Sequence, residues 1–576
     1  MKVNYILRSF ALVVLMTLFT NVKATEFHVA DGDSDAELAA ALDQATTGDV
    51  IWIDGTVTIN APVEITKNVT IKGADGAYFD GGGNTRLFEI HPEAVPGAKL
   101  VFENLGFTGG NGAKSDPTDG GVARIYDGGI VEFVLCWFDS NSAYRGGAFF
   151  IGVGDLGAPT ITFKGCEATN NVAFGNGNES RGGYLFVDGD NIRIDHEYCK
   201  ISSNKSIGGR GGALCLFGNN TRKFYYCVIA DNWGGNWGED PVSGELVKMD
   251  YDGNPVSDGE YEGGVAFITA GATTFESCGI ISNKSWSHSA IIRGWGDANT
   301  TVTFINCTLA KNQTLHDRSP LWIGGDATYT FVNSFLVDNL GQNAGNGAGF
   351  DFDGAGVKLN IFNSVFSRNI AGADGAVDIR NASDYATQLT VKNSLIGLIQ
   401  GNSSVVVPQD NPDIPTKSNI AMYKLTDDEL ASLDYATLEN SGINFGEGVK
   451  YSKSFGMPYY LLTAGSTVTK LGDPALLGEY DINSDLFGRI HPIADDGSIT
   501  AAPTIADTQD EFDDTGWEEK VIAGVVSPKV EKAGIKVINS VVENGILGVD
   551  FGELRGLAKG ELYSVTGQKV ETVFNC

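Results

Sequence analysis

The sequence predicts an all-β fold: a parallel β-helix of about ten or more coils, three strands to a coil, with a helical N-terminal cap and a small C-terminal β-sandwich-like module. The first observation behind this is a repeat, Phe-x-x-Cys-x-(apolar)-x-x-Asn. It reads Phe133…Cys136…Asn141, Phe163…Cys166…Asn171, Phe224…Cys227…Asn232, Phe275…Cys278…Asn283 and Phe304…Cys307…Asn312. Cys199…Asn204 fits with His196 in the first position. Phe331…Ser334…Asn339, Ile361…Ser364…Asn369 and Val391…Ser394 replace Cys by Ser, the last without its Asn. The second observation is spacing. From Leu105 through the six Cys and three Ser, successive anchors lie 31, 30, 33, 28, 51, 29, 27, 30 and 30 residues apart. The third is parity. Ile161 and Phe163 share one strand face, but the step from Phe163 to Cys166 is odd, so a bend falls at Lys164-Gly165. A second bend falls at the repeated Asn, a residue that tolerates left-handed backbone. The third strand follows a Gly-Gly pair, as at Gly146-Gly147, Gly182-Gly183, Gly211-Gly212 and Gly263-Gly264.

Composition agrees. Glycine is 75 of 576 residues, proline only 16, charged residues 19% and hydrophobic residues 42%. That excludes collagen, low-complexity disorder and a highly charged coiled coil. The net charge of −32 argues against a nucleic-acid binder, whose affinity rests on Lys and Arg neutralising phosphates. It also weighs against large polyanionic substrates and favours cation binding or plain solubility.

The elements follow in chain order. Lys2 and Arg8, an apolar run over residues 10–19 and Val22-Lys23-Ala24 describe a secretory signal over residues 1–24. No later run is long and apolar enough for a membrane-spanning helix. Residues 25–402 form the β-helix with its cap. Asp33-Ser34-Asp35 followed by Leu38, Ala41, Leu42 and Ala45 reads as a capped amphipathic helix covering the open end of the first coil. Residues 403–506, with a helix over 426–433, form a C-terminal cap packed back on the rod. Residues 507–519 are an acidic linker. Residues 520–576 form a small β module by alternation at Ile535-Lys536-Val537-Ile538 and over 562–570.

Cys136, Cys166, Cys199, Cys227, Cys278 and Cys307 fall in one inward column continued by Ser334, Ser364 and Ser394. This predicts reduced, stacked thiols rather than disulfides, because equivalent side chains pointing the same way make poor bridges. Asn141, Asn171, Asn204, Asn232, Asn283, Asn312, Asn339 and Asn369 predict a structural hydrogen-bonded ladder.

Chemistry is sought in the residue before each Gly-Gly or its equivalent: Asp119, Arg145, Arg181, Arg210, Glu262, His288, Arg318 and, past a gap, Asp374. In register these form one column. Stacked arginines repel and call for neighbouring negative charge. One reading is a solvated column paired with loop acids. The other is a groove where Arg181, Arg210 and Arg318 neutralise an acidic sugar's carboxylate and Glu262 or His288 handles a proton. The 51-residue step holds an insertion over residues 233–261. Its Trp233 and Trp237, joined by Trp286, Trp295 and Trp322 of the next coils, offer flat faces for stacking on sugars. Asp250, Asp252 and Asp258 are candidate ligands for Ca²⁺, although Tyr261 stands where a Ca²⁺ loop would place Glu.

The Phe-x-x-(Cys/Ser)…Asn and Gly-Gly-Ala repeats resemble those of chlamydial polymorphic membrane proteins and related secreted right-handed β-helix proteins. The resemblance covers about residues 30–400 and implies a right-handed rod. That scaffold serves adhesins, polysaccharide lyases and glycoside hydrolases, so it specifies fold better than function. Lyases built on it use Lys or Arg as base, often with Ca²⁺. Asp485-Leu486-Phe487-Gly488-Arg489 is similar to a motif closing many bacterial β-helix surface proteins. Leu562-Tyr563-Ser564-Val565-Thr566-Gly567-Gln568-Lys569-Val570 resembles the sorting domain of Bacteroidetes type IX secretion cargo.

The expectation is an exported protein of a Gram-negative bacterium, secreted, periplasmic or on the outer-membrane surface. It is an adhesin or glycan-binding protein whose partner is a polysaccharide or a host or cell-surface glycan, not nucleic acid. The alternative is a polysaccharide lyase or glycoside hydrolase acting on an acidic polysaccharide along the groove.

Overall fold

The computed structural model describes residues 24–396, apart from 176–179, 240–245, 251, 256–261, 316–318, 342–348, 354–355, 368, 372–378, 382–388 and 393. Beyond these it describes isolated short elements. Residues 1–23 of the expected 1–24 signal segment, the helix over 426–433, the 485–489 motif and the acidic linker lie outside the described residues.

The chain is a parallel β-solenoid. A first face of thirteen strands runs from Glu26–Val29 and Val50–Ile53 through Thr160–Lys164 to Leu389–Lys392. A second face of thirteen strands includes Glu167–Thr169, and a third of eleven includes Leu185–Asp188. Each strand pairs in parallel with its equivalent about one repeat away: Phe163 opposite Phe133 and His196, Ala168 opposite Phe138 and Ile201. Across the 51-residue step Phe224 pairs directly with Phe275, so the insertion leaves the rod and returns without adding a coil. It carries an antiparallel hairpin of Trp237–Glu239 with Leu246–Lys248.

Two details depart from the expected coil. A fourth set of eight two-residue strands, such as Val172–Ala173 and Lys205–Ser206, lies between the ladder Asn and the Gly-Gly pair. Two residues are too few for alternation to announce a strand. The left-handed residue at the second corner is also not the ladder Asn but the one before it: Ser140, Asn170, Ser203, Asp231, Ser282, Lys311 and Asp338 have φ of 53–58°. The Asn amide is turned inward instead. At the Gly-Gly corner glycine is required. Gly211 has φ +71°, and a Cβ there would lie 1.9 Å from the Leu214 carbonyl oxygen.

The core is built from stacked like residues. Phe102, Phe133, Phe163, His196, Phe224, Phe275, Phe304 and Phe331 form one aromatic column with ring centroids 4.6–5.1 Å apart. Beside it the cysteines are buried and form no disulfide. Their exchange with Ser has a polar reason too. The Cys278 thiol donates to the Phe224 carbonyl (3.4 Å), and the Cys278 amide donates to Cys307 Sγ (3.4 Å). The Cys307 and Ser334 amides donate likewise to Ser334 and Ser364 Oγ, at 3.0 Å each. Burial pushes the Cys166, Cys199 and Cys278 thiols well above their ordinary range, so they stay protonated donors.

The eight ladder asparagines are all fully buried. Each of the first seven amides donates to the next coil's Asn Oδ1 at 2.8–3.0 Å, and the backbone N–H of each donates to the same oxygen. The other amide hydrogen reaches a main-chain carbonyl, as from Asn171 to Phe138 (2.9 Å). The corner is thus a continuous polar spine inside the rod.

Asp35–Gln44 is the capping helix. It opens with a capping box between Ser34 and Glu37 and buries Leu38, Ala41 and Leu42. At the other end Tyr435–Thr437 adds in parallel to Ser394–Ile396. Within the expected terminal module, Lys536–Val537 pairs antiparallel with Val549–Asp550, and Leu562–Tyr563 with Lys569–Val570. Among the described residues no helix is long and apolar enough to cross a membrane.

Candidate functional site

Parallel bridges link Asp119, Arg145, Arg181, Arg210, Glu262 and His288 in that order, so the residue before the Gly-Gly turn forms one column. Arg318 and Asp374 lie outside the described residues. Five positions after each column member stands an outward residue of the third face: Arg124, Phe150, Phe186, Cys215, Phe267 and Arg293, continued in register by Trp322. Outward side chains of a sheet are ordinarily exposed, but from Phe150 to Trp322 these are buried. The arginines provide part of the cover. Arg145 lies over Phe150 and Phe186, Arg181 over Phe186 and Phe217, and Arg210 over Phe267, with guanidinium-to-centroid distances of 4.7–5.8 Å. The constant five-residue offset is visible in the sequence, and it is the signal that would have found the aromatic floor and Arg293.

Negative charge lies beside the arginines within the same column. Arg145 makes a bidentate bond to buried Asp119, at 2.7 and 2.8 Å. Buried Glu262 gathers three partners: Arg210 Nε at 3.3 Å, His288 Nδ1 at 3.3 Å and Arg293 Nε at 3.5 Å. Burial alone would raise the Glu262 carboxyl. The hydrogen bond with His288 and the charges of Arg293, His288 and Arg210 outweigh it and hold the group below its ordinary value. Glu262 is therefore a carboxylate.

Around it opens a cleft of about 500 Å³. Arg210, Glu262 and His288 form one wall, Phe267, Arg293 and Trp322 the floor, and Thr269 and Trp295 the far rim. The Arg293 guanidinium sits 3.4 Å from the Trp322 ring centroid and 4.8 Å from that of Trp295. His288 packs on Trp322 at 4.6 Å. Trp295 is 52% exposed, an uncovered aromatic face at the cleft mouth. In a chain of net charge −32, five arginines, Arg124, Arg145, Arg181, Arg210 and Arg293, lie on this strip, where the buried acids among the described residues include Asp119, Glu262 and, in register after Trp322, Asp351.

No protein-family model matches the chain, and no curated protein is similar to it in sequence.

The tryptophans divide. Trp295 and Trp322 belong to the cleft. Trp233, Trp237 and Trp286 sit before the Gly-Gly turn and pack on one another, with centroids 4.6 Å apart for Trp233–Trp237 and 6.1 Å for Trp237–Trp286. Lys205 Nζ lies 4.3 Å from the Trp233 centroid and Lys284 Nζ 5.4 Å. The stacking surface of Trp233 is thus engaged within the protein, and Trp286 is buried. Two of the three Ca²⁺ candidates lie among the described residues. Asp250 accepts from the Asn254 backbone (2.7 Å) and side chain, closing a local turn, Asp252 is exposed, and Asp258 lies outside the described residues. Among the described residues no three His, Cys, Asp or Glu side chains converge as a metal site.

Proposed function

We propose that this chain is an exported, noncatalytic glycan-binding protein that takes an acidic polysaccharide along the third face of its β-helix, seated at the Glu262 cleft. The observation that carries the reading is the coincidence, in one register, of an arginine column, an aromatic floor and the exposed face of Trp295. Aromatic faces suit sugar rings, and guanidinium forks suit carboxylates. The overall negative charge does not oppose this, because recognition is set by the local field of the strip. Export rests on the N-terminal segment and on the C-terminal likeness to a sorting domain.

Binding is favoured over hydrolysis by the state of Glu262. A glycosidase needs a carboxyl held protonated and a second carboxylate facing it. Here the one cleft-lining carboxylate among the described residues is held ionised by three cationic or hydrogen-bonding partners. A second reading is supported by one contact: His288 Nδ1 against Glu262 Oε1 resembles an oriented base, which would suit β-elimination from a uronide.

The test is titration of the full chain with polygalacturonate and with a neutral glucan, followed by tryptophan fluorescence. Saturable binding to the acidic polymer is expected, weakened about tenfold by Arg210→Ala or Trp295→Ala and reduced by salt. Ultraviolet absorbance from unsaturated product, lost in His288→Ala, would replace the binding reading with the lyase one. No binding to either polymer would remove both.

A further inference from the structure

The outward side chains of the second face change character along the rod. In early coils they include the exposed Glu167 and Lys200. Later in the same register they become Ile281, then Thr308 and Ala310, then Phe335 and Val337, then Val365. The inward residues between them, Ile280, Leu309, Leu336 and Phe366, belong to the core cluster, whereas these do not. Ala310, Phe335, Val337 and Val365 are nevertheless 0% exposed. The adjoining corner of the first face changes likewise, from Lys164, Glu197, Tyr225 and Glu276 to Ile305, Val332 and Phe362.

Outward apolar side chains reach zero exposure only under a second layer. One residue of that layer is visible: Tyr480 packs with Ile305 and Phe362 on Val332. Among the described residues the last strand of the second face is Tyr435–Thr437, three strand spacings (about 14 Å) beyond Phe335. After completing the rod, the chain has therefore come back along its side by residue 480.

We propose that the segment of this chain around Tyr480, within residues 438–506, docks lengthwise on the apolar strip formed by Ile305, Val332, Phe335, Val337 and Phe362, rather than closing the end of the rod. The sequence of that segment carries Leu476-Leu477, Ile482 and Leu486-Phe487, residue types that match the strip in character. The strip is an internal docking surface, and the charged early coils are left open to solvent.

Oxidation of a full-length Phe362→Cys/Tyr480→Cys chain, in a Cys576→Ser background, tests this. An intramolecular disulfide is expected in most molecules, seen as faster migration on a nonreducing gel, and none is expected for Glu197→Cys/Tyr480→Cys. Absence of that cross-link, equal cross-linking of the control, or intermolecular dimers alone would overturn the proposal; dimers would assign the strip to a second copy. Val337→Lys, which points away from the core, is expected to speed proteolysis within residues 438–506 at least several-fold. Unchanged proteolysis would count against the docked segment.

Discussion

Replacing Asn232 with leucine is expected to lower the stability of the rod by about 3–5 kcal/mol, the cost of leaving several buried polar groups without partners. The Asn232 amide donates to the Ile201 carbonyl (2.9 Å) and to Asn283 Oδ1 (3.0 Å), and its oxygen accepts from both the backbone and side-chain nitrogens of Asn204, at 3.0 Å each. Leucine has similar volume but no polar atom, so the Asn204 backbone and side-chain donors above lose their shared acceptor, the Ile201 carbonyl loses its amide donor, and Asn283 Oδ1 below keeps only the backbone N–H of residue 232, with no water to replace the lost bonds. Each coil touches only its neighbours, so the damage centres on the coils of Asn204 and Asn283. The measurement is the urea midpoint of the full chain against an Asn219→Leu control at an exposed position, expected within about 0.5 kcal/mol of wild type. Equal effects of the two substitutions would mean that the ladder contributes nothing beyond packing.

His196 makes the same core sensitive to acid. It occupies a phenylalanine position, stacked between Phe163 (4.6 Å) and Phe224 (4.7 Å), with Nε2 3.3 Å from the Tyr184 hydroxyl and Nδ1 buried without a partner. Burial pushes its pKa from 6.5 down to about 4, only partly offset by nearby Cys227 and Asp195. The folded state therefore binds this proton less readily than the unfolded chain. Stability is fully present above the unfolded value near 6.5 and is lost as pH falls toward about 4. A shift of this size corresponds to about 3 kcal/mol. His196→Phe restores the aromatic column and is expected to remove that component of the pH dependence, leaving the chain at least as stable at neutral pH. Denaturation midpoints of both chains between pH 7 and pH 4 check this. Parallel curves would show that the histidine is solvated or paired in the folded state.

Much of the scaffold was legible because a solenoid writes its geometry as recurrence. The interval between Cys166 and Cys199, or Asn283 and Asn312, is one circuit of the rod, and like residues meet because parallel strands stack in register. The 51-residue step was legible as an insertion for the same reason, since the repeat resumes at Phe275 in phase. The short strand after each ladder Asn was not, because two residues carry no alternation. Nor was the aromatic floor. Phe150, Phe186 and Phe267 sit outside the core face, and only the arginines lying over them explain why apolar residues stand there. The split among the tryptophans depends on which side of a Gly-Gly turn each falls, which spacing alone does not reveal. Residue types alone do not mark Arg293, which stands between Phe267 and Trp322 in its column; only the five-residue offset from His288 points to it.

The site, the ladders and the docking strip all depend on whole repeats being single coils, and spin-label distances measure that directly. Glu103 and Glu276 are partly exposed on the first face and are linked through Val134, Lys164, Glu197 and Tyr225 by five parallel strand spacings. Labels at Glu103→Cys and Glu276→Cys, in a Cys576→Ser background, should report a backbone separation near 24 Å, against about 14 Å for Glu103→Cys with Glu197→Cys. Distances that fail to grow with the number of coils, or a Glu103–Glu276 separation longer by a full spacing of about 5 Å, would contradict the register. They would separate Arg210 from Glu262 and dissolve the cleft.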